Sequence, residues 1–293
     1  MNKSIKVGKG LLVCLIGLSS ILPACSSKKS ASGSYSNYLK GEMKPEASKP
    51  CFNGAYYRKV VSSNDHWLGI TGTVVLPQMD LDPSRLNPRK PQQYLDNSSI
   101  YLGGNMEEQE TDIGLIWEVI RDERGNVSAA RKAFRPFLRR TSHDGGQESI
   151  YFNAPAESRY YWYPGEEVTM SVQIIADKKL KFIVEGAGKR YETDFECDGY
   201  KFNSKGEFKR VNAIDQVANE GKPVQPTKTR IYNAHWKETS LFRTVNGKVV
   251  TVPFNNLRYT DMRCPEPSKF KIEATEADLK KGAEIISISG AGF

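Results

Sequence analysis

The sequence has 293 residues, with 42 lysines and arginines against 34 aspartates and glutamates, a formal charge of +8, three histidines and five cysteines. No block of five or more basic residues occurs, so a nucleic-acid footprint is not expected. His66, His143 and His235 are far apart and no Cys-x-x-Cys occurs, so neither a metal site nor a cofactor is expected.

In chain order, Lys3, Lys6 and Lys9 precede a short apolar run, "LLVCLIGL" (Leu11 to Leu18), and then "LPAC" at Leu22 to Cys25. The apolar run is too short to span a bilayer and reads as a secretory signal. Its end resembles the lipobox of bacterial lipoproteins. The resemblance implies cleavage behind Ala24 and diacylglycerol on Cys25, hence residues 1–24 as signal peptide and an extracytoplasmic protein partnered with the membrane through a lipid anchor. Residues 25–50 are rich in Ser, Lys, Gly and Pro without apolar periodicity, and the expectation is a flexible tether. Residues 51–293 have a length suited to one large all-β domain.

With Cys14 in the presequence and Cys25 lipidated, Cys51, Cys197 and Cys264 remain. Cys197 continues the inward alternation of Tyr191, Thr193 and Phe195 and reads as a buried small hydrophobe, so Cys51 with Cys264 is the expected disulfide.

A period of two, the mark of a half-buried strand, recurs along the domain. "QETDIGLIWEV" (Gln109 to Val119) alternates Ile113, Leu115, Trp117 and Val119 with Glu110, Asp112 and Glu118. Glu167–Ile175, Lys179–Glu185 and Arg190–Cys197 form a meander with turns at Asp177 and Lys178 and at Gly186 to Lys189. Asn246 and Gly247 suit a two-residue hairpin turn between "LFRT" and "KVVTV". Further strands are expected at Leu68–Leu76, Ser99–Gly103, Arg131–Arg139, Ile231–Trp236, Phe270–Ala274 and Glu284–Ile288. One short helix is expected in "TEADLKKG", with Thr275 as N-cap, Asp278 closing a capping box and Gly282 as the stop. These elements predict an all-β, two-sheet antiparallel sandwich. Size and turn spacing resemble the concanavalin A-like jelly roll.

Glu110 and Asp112 are same-face neighbours, roughly 6–7 Å apart between Cα atoms. Glycoside hydrolases use two carboxyl groups about 5–10 Å apart. The strand resembles that of jelly-roll glucanases, which carry a third acid soon afterwards; Gly114 and Leu115 hold those places here. Glu118 lies six residues beyond Asp112, roughly 20 Å along the strand. The order of "HWLGITGTVVLP", "SIYLGG", Gln109 and "YYWYPGEEVTMSV" resembles secreted glutamic peptidases, which implies Gln109 in the place of the catalytic Gln. Where that family has a Glu after a Trp-Tyr step, Trp162 and Tyr163 are followed by Pro164.

Tyr160 to Tyr163 end before Pro164 and Gly165, so Tyr160 and Trp162 are expected at a rim suited to stacking sugars, with Tyr161 and Tyr163 inside. "FKRVNAIDQVANEGK" (Phe208 to Lys222) reads as a long polar loop offering Arg210, Asn212 and Asp215 to a polyhydroxylated ligand. "FRPFLRR" adds Arg135, Arg139 and Arg140 as partners for the Glu110 and Asp112 face. The leading expectation is a binding domain for a glycan or cell-surface ligand. The alternatives are a hydrolase, glycosidase or glutamic-type peptidase, acting through Glu110 and Asp112, and an envelope scaffold.

Overall fold

The computed structural model describes residues 38–90, 93–122, 124 and 126–293. The expected signal peptide, Cys25 and the tether as far as residue 37 lie outside the described residues. The strands are β1 (Ala55–Ser62), β2 (Trp67–Val75), β3 (Gln78–Asp80), β4 (Asp96–Met106), β5 (Gln109–Arg121), β6 (Val127–Arg140), β7 (Ile150–Asn153), β8 (Glu167–Ala176), β9 (Lys179–Gly186), β10 (Lys189–Glu196), β11 (Gly206–Gln216), β12 (Arg230–Val245), β13 (Lys248–Pro253), β14 (Tyr259–Cys264), β15 (Phe270–Glu273) and β16 (Glu284–Ser289). The one α-helix among the described residues, α1 (Glu276–Lys280), carries the expected capping box between Thr275 and Asp278.

Two antiparallel sheets pack face to face, as the periodicity predicts. One runs β14-β1-β11-β4-β5-β6-β7; the other runs β10-β9-β8-β2-β12-β16-β15, with β13 and β3 also paired to β12. The seam between them collects the apolar parity of each strand: Ile113 and Leu115 from β5, Ile100 and Leu102 from β4, Ile70 and Val74 from β2, Val172 from β8 and Phe182 from β9. Each such side chain contributes roughly 1.5–3 kcal/mol on burial. Trp117 packs edge-on against Phe134 of β6, with ring centroids 5.2 Å apart.

Three expectations change. Phe208 to Gln216 belong to β11, an interior strand of the seven-stranded sheet, and are not loop. The segment reads as polar because both of its faces carry charge. Arg210 points into a sealed ion cluster between the sheets and Lys209 into another on the outward face. Ile231–Trp236 and "LFRT" form the single strand β12, whose register shifts mark bulges. Finally, the stretch from residue 38 is docked against the domain rather than free. Leu39 packs on the core, Met43 bridges to Asn64, and the sealed Glu42 carboxylate meets Arg258 Nε at 2.7 Å. Composition alone hides a buried ion pair formed across such a sequence distance.

Cys51 and Cys264 form a disulfide with Cα atoms 5.8 Å apart, which fixes the segment before β1 to the end of β14. Cys197 is free and buried.

Candidate functional site

The two-residue period that fills the seam leaves the other parity of the seven-stranded sheet facing outward. That face presents Lys59 from β1, Lys209 and Asp215 from β11, Ser99 and Tyr101 from β4, and Glu110, Asp112 and Glu118 from β5. Arg135, Phe137 and Arg139 of β6 and Tyr151 of β7 complete it. Over this face lie three cavities of about 350, 510 and 430 Å³. The first two share Tyr101, Asp112 and Arg139, and the second and third share Asn97, Ile116 and Tyr151, so together they make one cleft. Its walls are the segment Cys51 to Gly54, held by the disulfide, and the turn after β11 around Val217 to Lys222.

The floor is aromatic. The register sets Tyr101 and Phe137 on either side of Gly114. A Cβ at Gly114 would come within 2.6 Å of Tyr101 Cβ and 2.3 Å of Ile100 O. Glycine here therefore lets the two rings meet edge to face, with centroids 5.8 Å apart. Phe137 in turn stacks against Tyr151 at 6.1 Å. Tyr101 and Phe137 are buried while Tyr151 stands more than half exposed over the cleft.

Ionic groups flank this floor. Lys209, buried at the base, lies 2.7 Å from Asp112 and in contact with Glu110; Arg139 meets Asp112 at 3.0 Å and Glu220 at 3.1 Å. Burial opposes charge on all three of Lys209, Glu110 and Asp112. Their mutual attraction outweighs it, holding the two carboxyls below and the ammonium above their ordinary values. Asp215 behaves oppositely. Burial pushes its carboxyl up to about 6, with the charge of Asp112 adding to that effect and a hydrogen bond from Ser99 Oγ (2.5 Å) opposing it. Partial burial, and then the neighbouring charge of Lys209, bring the half-buried Lys59 down to about 8.

The expected site residues divide between the two faces. Glu110, Asp112, Arg135 and Asp215 stand on the cleft face. Gln109 does not: it is fully buried on the opposite parity. Its Nε2 donates to Thr141 O and Gln147 Oε1, and its Oε1 accepts from Gly199 N at 2.8 Å and Cys197 Sγ at 3.2 Å. An amide so occupied has no group left to activate water. Arg210 and Asn212 also point between the sheets, because strand alternation sends them opposite to Lys209 and Asp215. Arg210 donates to Thr239 Oγ1 and Gly282 O and pairs with Glu284, and Asn212 Oδ1 accepts from Trp236 Nε1 at 2.7 Å.

Trp162 is sealed in the core with its Nε1 donating to Gly186 O at 3.0 Å, so it offers no platform. Tyr160 is half-buried against Tyr191. Arg135 pairs with Glu118 at 2.5 Å; Arg140 turns to the backbone carbonyls of Glu148 and Glu196. The platform missed in the sequence is Tyr101, Phe137 and Tyr151. The signal for the first two was present, since Tyr101 has the parity opposite to Ile100 and Leu102, and Phe137 shares the parity of Arg135 and Arg139.

No family model matches the sequence, and no curated protein matches it. Among solved structures, the chain is similar to scytalido-glutamic peptidase with a transition state analog inhibitor (TM-score 0.44, 11% identity, 80% of this chain and 98% of that chain). It is also similar to the alginate lyase from Klebsiella pneumoniae (TM-score 0.36, 10% identity, 63% of this chain and 59% of that one). A third likeness is to a Bacteroides ovatus GH16 from a mixed linkage glucan locus, in complex with G4G4G3G product (TM-score 0.30, 12% identity, 65% and 86%). None of the three reaches a TM-score of 0.5, and the chemistry of the cleft rests on this chain's own side chains.

Proposed function

We propose that the protein is a lipid-anchored component of a bacterial cell envelope whose β-sandwich binds a glycan in the cleft over the seven-stranded sheet. The observation that carries this reading is the pairing of an aromatic floor, Tyr101, Phe137 and Tyr151, with a fixed set of charged donors and acceptors in the same 510 Å³ cavity. Ring faces stack on the apolar side of a sugar, and Arg139, Asp112 and Asp215 offer hydrogen-bond partners for its hydroxyls. The three joined cavities suit a chain of several sugar units rather than a single one.

The anchor is the diacylglycerol that the lipobox implies on Cys25, with the residues between it and the docked stretch at Tyr38 as the tether. No helix among the described residues is long and apolar enough to cross a membrane. Palmitate labelling of cells producing the protein tests the anchor: Cys25→Ala is expected to abolish the label. A glycan array tests the binding. The purified protein is expected to retain one class of oligosaccharide and Tyr151→Ala to lose it, whereas an array with no retained glycan would contradict the reading.

A further inference from the structure

The cleft holds a pair of carboxyl groups other than Glu110 and Asp112. In the register of β4 with β11, Asn97 lies beside Asp215. The register of β4 with β5 pairs Ser99 with Ile116, and continued by two residues it brings Glu118 to the other side of Asn97. Asp215 and Asn97 are thus paired on the outward face, and Glu118 shares that face two residues beyond the last paired position of β5. Two strand spacings, about 9–10 Å, separate β11 from β5. Asp215 lines the central cavity, Glu118 the adjoining one, and Asn97 lines both.

We propose that the cleft also cleaves its ligand, with Asp215 as general acid and Glu118 as general base of glycoside hydrolysis with inversion at the anomeric carbon. This rests on the glycan reading and goes beyond it.

Two strand spacings between the backbones leave room for the roughly 6.5–9.5 Å between carboxyl groups that an inverting pair uses to admit a water. The two groups have the unlike surroundings that such a division of labour needs. Asp215 is held among Ser99, Tyr101 and the wall at Val217, and burial favours its protonated form, with Asp112 and Glu220 adding to this and Ser99 and Arg139 opposing it. Glu118 is anchored through Oε2 to the Arg135 guanidinium at 2.5 Å, which orients the carboxylate. Tyr151 bears on both: burial raises its hydroxyl, the hydrogen bond to Asn153 and the Arg135 charge oppose this, and the charges of Glu118 and Asp215 add to it. The aromatic residue best placed to stack on a sugar is thus within the field of both carboxyls.

In the step itself, the Asp215 proton passes to the glycosidic oxygen as the bond from that oxygen to the anomeric carbon breaks, its electron pair staying on oxygen. A water on the opposite face gives a proton to Glu118 and its oxygen bonds to the anomeric carbon. The products are an alcohol and a hemiacetal of inverted configuration, and solvent returns the proton from Glu118 to Asp215. Water is the only co-reactant.

The test incubates the full chain with hexasaccharides of β-1,3-glucose, β-1,4-glucose, β-1,4-N-acetylglucosamine and α-1,4-galacturonate, following new reducing ends and, by NMR, the anomer first formed. Hydrolysis of one of them with inversion is expected. Asp215→Asn should lower that rate by about 10²–10⁴-fold, yet lower the rate on the matching dinitrophenyl glycoside, whose leaving group needs no proton, by less than about 10-fold. Glu118→Gln should lose both. A role of Asp215 in folding alone would not separate the two substrates. Binding without cleavage would overturn this proposal and leave the binding reading standing; neither binding nor cleavage would overturn both. Retention of configuration, equal loss on both substrates in Asp215→Asn, or cleavage of a peptide such as casein instead of any glycan would overturn the assignment.

Discussion

Arg58, Glu284 and Arg210 lie between the sheets with side chains 3%, 1% and 2% exposed; Glu110, Lys209, Asp112 and Arg139 stand on the outward face at 35%, 5%, 13% and 38%. The inner cluster sets opposite charges against one another across the two sheets and the outer one across the strands of a single sheet, and both draw on β11, which supplies Arg210 to one side and Lys209 to the other. The inner cluster is sealed at Glu284, which joins two guanidiniums, while Arg210 also donates to Thr239 Oγ1 and Gly282 O and Arg58 reaches outward to Asp261 at 2.6 Å. The outer cluster is open at Glu110 and Arg139, where water or a ligand hydroxyl can replace a protein partner. The contrast separates charge that specifies how sheets meet from charge that is free to be read by a ligand.

That contrast can be broken by substitution. Glu284→Gln should be the most damaging change, because the sealed Arg210 guanidinium loses its carboxylate and Arg58 keeps only the partly exposed Asp261; a loss of about 3–5 kcal/mol in chemical denaturation is expected. Trp162→Ala should cost a similar 3–5 kcal/mol as a core cavity, and any ligand binding by the folded fraction should persist. Lys209→Met leaves Glu110 and Asp112 facing each other, but Glu110 is 35% exposed and rehydrates, so a smaller loss of about 2–3 kcal/mol is expected.

Asp215→Asn should act in the opposite direction. Its carboxyl is raised from an ordinary 3.8 to about 6, so the folded state binds the extra proton and stability falls as pH rises between those values. The penalty is complete above about pH 6 and absent below 3.8. The amide removes it, and a gain of about 1–3 kcal/mol at pH 7–8, vanishing near pH 4, is expected in thermal or denaturant unfolding. Glu110 and Asp112 have the reverse sign: their contribution is present at neutral pH and is lost as pH falls through their depressed values.

Much of the fold was legible because period-two alternation survives wherever one face is apolar and the other wet, as in β5, β8 and β9. It failed at β11, where Arg210 and Asn212 occupy inward positions usually held by hydrophobes and make the strand resemble a loop. The same residues misled the reading of the site. Taking Phe208 to Lys222 as loop removed the parity rule that separates Asp215 from Arg210 and Asn212. Glu118 lies far from Asp112 along one strand, whereas Asp215, two strands away across the sheet, is set by pairing that a single strand does not reveal. Trp162 looked like a rim residue because Pro164 and Gly165 follow it. The bridge between Phe134 and Trp162 instead draws it into the seam.

The account stands most directly on where a sugar sits. A crystal structure of the protein soaked with the oligosaccharide retained on an array should show a pyranose ring over Tyr151, with hydroxyls within hydrogen-bond distance of Arg139 and Asp215. A ring bound instead beside Tyr160, or against the outward face of the nine-stranded sheet, would contradict it.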